Sequence, residues 1–136
     1  MVDVTIAHVV DYCLSLRADF GTTYFEGKIS DPDLNANISL VLALRDALGP
    51  DAMLRIDSNQ AFSLPSALHL SRPFEEAGVR NWEDPTPDWT AMRKLRTRTT
   101  IPFSGHNTDL GKAVAYGVPD AIVSDVAGFG GFSAML

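Results

Sequence analysis

The chain has 136 residues, of which 46% are hydrophobic and 21% charged, and a net charge of -6. That length and balance fit a single soluble globular domain with a real core. The acidic excess argues against a phosphate-binding face, so no nucleic-acid partner is expected.

Cys13 is the only cysteine, which rules out an internal disulfide, and it falls within an apolar helical pattern that suits a core position. No apolar run is long enough to span a bilayer, and MVDVTIAHVVDY has early acids and no basic n-region. The expectation is a cytoplasmic protein without membrane contact.

Taken in chain order, residues 3–19 show helical periodicity that Gly21 ends. TTYFEGKI (22–29) reads as a strand. The next helix has Asp31 as N-cap, Pro32 at its first position and Gly49 as C-cap. MLRID (53–57) is the second strand, followed by a helix over 63–78 that starts at Ser63, stops at Gly78 and holds Pro73. VRNWE (79–83) is the third strand and 87–98 a helix, whose run Arg93-Lys94-Leu95-Arg96-Thr97-Arg98 reads as a solvated face. TIPFSGH (100–106) is the fourth strand, 108–117 a short helix, and DAIVSD (120–125) the fifth strand. Gly128 to Gly131 form a glycine-rich turn.

Five strands separated by helices predict an α/β fold with parallel strands and right-handed crossovers. An open doubly wound sheet and a (β/α)8 TIM barrel both fit. A complete barrel needs roughly 200 residues or more, so this length allows only part of one. No GxGxxG follows a strand and no GxxxxGK[ST] occurs, which removes the usual dinucleotide and phosphate-loop readings.

Each strand carries a polar residue near its C-terminal end: Lys28, Asp57, Glu83, His106 or Asn107, and Asp125. In a parallel α/β sheet those ends share one rim, and ligands bind there. Two carboxylates with an amide oxygen suit Mg²⁺, while two carboxylates with a histidine lean toward Mn²⁺, Fe²⁺ or Zn²⁺. Lys28 beside such a cation has the character of a base. Each residue also has a plainer role: Asp57 and Asp125 as turn formers, His106 as a loop histidine, Lys28 as a surface lysine, and Asn107-Thr108-Asp109 as a helix cap. Five separate accidents on one rim are a poorer account than one site. Ser104 lacks the surroundings of a hydrolase nucleophile.

LRIDSNQAFSLPSALHLSRPFEEAGVRNWEDPTP resembles the barrel domain of the enolase superfamily, in its mandelate racemase/muconate lactonizing enzyme group. The matching motifs are Asp-x-Asn-Gln after one strand, Glu-Asp-Pro after the next, Ile-Pro opening the third, and Val-Pro-Asp-Ala-Ile-Val with a later Asp and Gly-Gly. The resemblance runs from the first helix to Gly131. It implies Asp57 and Glu83 as metal ligands, with His106 or Asn107 as the third, around Mg²⁺ or alternatively Mn²⁺. It implies Lys28 as the base that removes a proton next to a carboxylate, and Asp125 as the aspartate that pairs with a histidine on the following strand. Asn59 and Glu26 become partners of the ligands on the same rim.

Two departures qualify this. Glu26 stands where the family has the first lysine of Lys-x-Lys, and a neighbouring carboxylate works against Lys28 as a base. Gly128 stands where the cycloisomerase branch carries a lysine, which disfavours muconate lactonization and dipeptide epimerisation. The implied activity is Mg²⁺-dependent proton abstraction α to a carboxylate through an enediolate, with dehydration of an acid sugar, as in the glucarate-type branch. The alternatives are racemisation or epimerisation, or a catalytically inactive metal-binding or assembly fragment. The resemblance also implies that residues 1–136 are one partial barrel domain, about five of the eight strands. The capping domain and the last strands lie outside it. A homo-oligomer is one way to cover its open edges.

Overall fold

The computed structural model describes residues 4–106 and 109–125. The elements alternate strictly: α1 (Ile6–Phe20), β1 (Tyr24–Lys28), α2 (Leu34–Leu48), β2 (Met53–Asp57), α3 (Leu64–Glu76), β3 (Val79–Glu83), α4 (Trp89–Arg96), β4 (Phe103–His106), α5 (Leu110–Tyr116) and β5 (Ala121–Val123). The five strands form one sheet in sequence order, and every neighbouring pair is parallel. The expected α/β architecture is present, with each helix crossing back to the next strand as in a stretch of barrel wall.

Capping residues explain where the helices begin. Ser63, Asp88 and Asp109 accept from the first-turn amides of α3, α4 and α5, and Thr5 with His8 forms a reciprocal capping box on α1. The second helix departs from expectation. Its N-cap is Asp33, not Asp31, because Asp31 Oδ1 instead accepts from Asp33 N and so builds the turn that precedes the helix. Pro73 lies inside α3, as expected.

The strands have two unlike faces. Phe25, Leu54, Ile56, Trp82 and Phe103 point to the helices and are buried there. Trp82 is fully buried and meets Phe62, Phe74 and Phe103 edge-on, with ring centroids 6.5, 5.2 and 6.2 Å away. A smaller cluster of Cys13, Phe25, Leu48, Ala52 and Leu54 seats α1, and Cys13 is buried as expected.

The opposite face, which a closed barrel would turn inward, is polar at alternate positions. Register places Lys28, Asp57, Glu83 and Ser104 in one row, with Glu26, Arg55 and Asn81 in the row beneath. His106 follows Ser104 by two residues and stands one row above.

At the N-terminal ends of the strands, Arg45 ties two loops together. Its guanidinium donates to the carbonyls of Ala77 (2.6 Å), Gly49 (2.6 Å), Ala52 (2.9 Å) and Gly78 (3.1 Å). Gly78 sits at φ 69°, and a Cβ there would lie 3.5 Å from Arg45 Nη2. None of the helices among the described residues is long and apolar enough to cross a membrane.

Candidate metal centre at the carboxylate rim

Asp57 ends β2 and Glu83 ends β3, and the two are partners in the ladder. Both are buried, at 5% and 4% exposure, so neither carboxylate is an ordinary surface acid. Burying a carboxylate requires a counter-charge or hydrogen bonds. Asp57 Oδ2 pairs with Lys28 Nζ, and Asp57 Oδ1 accepts from Asn59 N at 2.8 Å. Glu83 Oε2 pairs with Arg55 Nη2.

Arg55 reaches further. Its Nε is buried, has no hydrogen-bond partner among the described residues, and stands 3.4 Å from Glu26 Oε2. Its Nη2 also donates to Ser104 Oγ at 3.4 Å, and Ser104 Oγ donates to Asn81 Oδ1 at 2.7 Å. The inner face therefore carries a connected polar network where an ordinary barrel interior is packed with branched apolar side chains.

One ligand atom from each of Glu26, Asp57 and Glu83 lies within 4.8 Å of the others. These are hard oxygen donors of the kind that Mg²⁺ takes. The sequence set Asp57 and Glu83 on one rim, and the structure places them side by side in the ladder. Sequence reasoning set Glu26 beside the ligands as a partner, whereas the structure brings its carboxylate into the same group of donors. It missed Arg55, whose signal was the alternation Arg55-x-Asp57 on one strand face.

His106 is exposed at the end of β4 and is not one of the three grouped donors. Its backbone N–H donates to Asp84 Oδ1 at 3.3 Å. Asn107, its alternative, lies outside the described residues, as does Gly128. Asp125 is exposed and follows the end of β5. Asn59 is exposed at φ 46° and meets Asp57 through its backbone N–H.

Asp84 follows Glu83 at φ 44° and stitches the rim together. Its N–H donates to Ser104 O, its carbonyl accepts from Gln60 N, and its side chain accepts from His106 N. Burial holds its carboxyl above the ordinary range; the His106 amide works against that, and nearby Asp57 adds to it. A cleft of about 180 Å³ beside the rim is lined by Gln60, Asp84, Trp89, His106 and Asp109.

The profile of the family described as "Enolase C-terminal domain-like" matches residues 8–136. A D-galactarolactone cycloisomerase from Agrobacterium fabrum is 30% identical over 104 residues, which are 71% of this chain and 28% of that enzyme. An arabinonate dehydratase from Saccharolobus solfataricus is 25% identical over 116 residues, 80% of this chain and 31% of that enzyme. Among solved structures, a racemase from Streptomyces coelicolor A3(2) with bound magnesium superposes with a TM-score of 0.86 at 22% identity, over 97% of this chain and 41% of that one. The chain thus spans about a third or less of the curated relatives named here, 28% and 31% of their lengths.

Proposed function

This chain belongs to the enolase superfamily through its C-terminal barrel domain, and from that premise we propose that its rim binds a divalent cation, Mg²⁺, together with a small carboxylate substrate whose α-proton Lys28 removes. The observation that carries the reading is the adjacent pair of buried carboxylates, Asp57 and Glu83, at the C-terminal ends of neighbouring strands. Their carboxylate oxygens are hard donors that fit Mg²⁺, and the third donor of this proposal is His106 or Asn107, of which the amide oxygen suits Mg²⁺ better than the imidazole nitrogen. When bound, the cation supplies Lewis-acid stabilisation to a carboxylate that gains negative charge as its α-proton leaves.

The protein's own contribution follows from the geometry. Lys28 Nζ reaches the Asp57 carboxylate, so it stands at the place where substrate and cation would meet. It is 62% exposed on its side chain and can swing from Asp57 toward a substrate. Asp57 is held by the Asn59 N–H while Lys28 moves. Arg55 supports the rim from the row beneath, and Ser104, level with Glu83, accepts from Arg55.

The reaction we favour is dehydration of an acid sugar, in which loss of the α-proton is followed by departure of the β-hydroxyl. The named arabinonate dehydratase supports that class. Isomerisation starting from the same proton abstraction is the second reading, and the cycloisomerase and racemase relatives support it.

The test uses the chain with Mg²⁺ and a panel of acid sugars in D₂O. Proton NMR reads exchange at the α-carbon, and mass spectrometry reads loss of water. The expected result is exchange that Lys28→Met abolishes, with water lost from the true substrate. Exchange without water loss selects isomerisation over dehydration. No exchange with any substrate, or undiminished exchange in Lys28→Met, overturns the proposal for this chain.

A further inference from the structure

We propose that Glu26 and Arg55 form a matched charge pair that sets the affinity of the rim for its divalent cation, Arg55 lowering it and Glu26 raising it. This rests on the reading of Asp57 and Glu83 as the cation's ligands. Glu26 and Arg55 are ladder partners, one row beneath Lys28 and Asp57. Three carboxylates lie within 4.8 Å of one another, an arrangement that repels itself without cations. Lys28 answers Asp57, and Arg55 answers both Glu26 and Glu83.

Arg55 is therefore shared. Its Nη2 occupies an oxygen of Glu83, while its buried Nε is turned to Glu26 without a full hydrogen bond. An incoming dication competes with the guanidinium for Glu83 and is repelled by its charge. Glu26 offsets both effects, because it draws the guanidinium toward β1 and adds its own negative charge. The carboxylate that looked like a defect beside Lys28 is then half of a balance whose other half lies on the next strand.

The pair makes predictions of opposite sign, which a merely structural arginine does not. Mg²⁺ affinity is measured by isothermal titration calorimetry on the unaltered chain, Glu26→Gln, Arg55→Met and the double variant, with melting temperatures taken with and without saturating Mg²⁺. Glu26→Gln should weaken binding and Arg55→Met should tighten it, each by about fivefold or more for a unit charge a few ångströms from a dication in a half-buried site. The double variant should return to within about twofold of the unaltered chain, as two cancelling charges require. Arg55→Met should also melt earlier without Mg²⁺ and recover with it, since Glu83 is left buried without a counter-charge. Shifts in the same direction, weaker binding by Arg55→Met, or no change in either single variant overturn the pair. If Arg55→Met does not fold, Glu26→Gln decides alone: equal or tighter binding overturns the proposal. Absence of Mg²⁺ binding by the unaltered chain overturns this inference and the metal reading together, whereas binding without the opposed shifts overturns this inference only.

Discussion

Trp82→Phe tests how the core holds the rim. Trp82 precedes Glu83 on β3, and its Nε1 donates to Ser58 Oγ at 2.7 Å, directly after Asp57 on β2. Both side chains are fully buried, so this bond ties the strand ends that carry Asp57 and Glu83 from behind, inside the apolar core. Phenylalanine keeps a ring for the edge-on contacts but loses the pyrrole part of the indole. The shortfall in packing costs about 1–2 kcal/mol, below the full truncation of an aromatic. Ser58 Oγ also loses its buried donor, which costs about 1–3 kcal/mol more. The total is about 3 kcal/mol, a large share of the roughly 5–15 kcal/mol that holds a domain together. Urea unfolding followed by far-UV circular dichroism measures it. The cycle with Ser58→Ala isolates the bond: the double variant should be less destabilised than the two single variants added together, by about 1 kcal/mol. A loss below about 1 kcal/mol in Trp82→Phe, or strict additivity in the cycle, would refute the reasoning.

Arg45→Met should destabilise by about 3 kcal/mol or more, because four loop carbonyls lose a charged donor. It should leave Mg²⁺ affinity unchanged, since Arg45 lies at the end of the sheet opposite the rim; urea unfolding and calorimetry read the two effects separately. The Thr100 hydroxyl and then its backbone N–H hold the Glu75 carboxyl below its ordinary range. That stability is present above the ordinary carboxylate pKa and is lost as pH falls through the lowered folded value. Melting temperatures should therefore separate the unaltered chain from Glu75→Gln near neutral pH and converge in acid; a gap that persists in acid contradicts the assignment. Burial raises the pKa of the Cys13 thiol, so iodoacetamide should label it slowly in the native chain and fast in urea, with mass spectrometry as the readout.

Much of the fold was legible because the punctuation is strong. MLRID and VRNWE are the observed strands β2 and β3 residue for residue, each bounded by glycine, proline or capping side chains. The second helix starts two residues later than the sequence suggested, because two aspartates there compete for amides and Asp31 is taken up by the Asp33 amide, which leaves Asp33 to cap. At the site, Asp57 and Glu83 could be read from strand ends. Arg55 could not be read so easily. Period-2 alternation places it on the same face as Asp57, but its partners depend on the register of three strands and on the reach of a long side chain. The same register gives Glu26, expected beside the ligands, Arg55 as its partner. The third donor stays a proposal, because His106 is exposed one row above the rim and Asn107 lies outside the described residues.

The central claim is that Asp57 and Glu83 form one divalent-cation site. Mg²⁺ titration calorimetry on the unaltered chain, Asp57→Asn, Glu83→Gln and the surface control Glu75→Gln tests it most directly. The account predicts saturable binding near one equivalent, lost in both rim variants and retained in the control. Equal binding by all four proteins, or no binding by the unaltered chain, would contradict it.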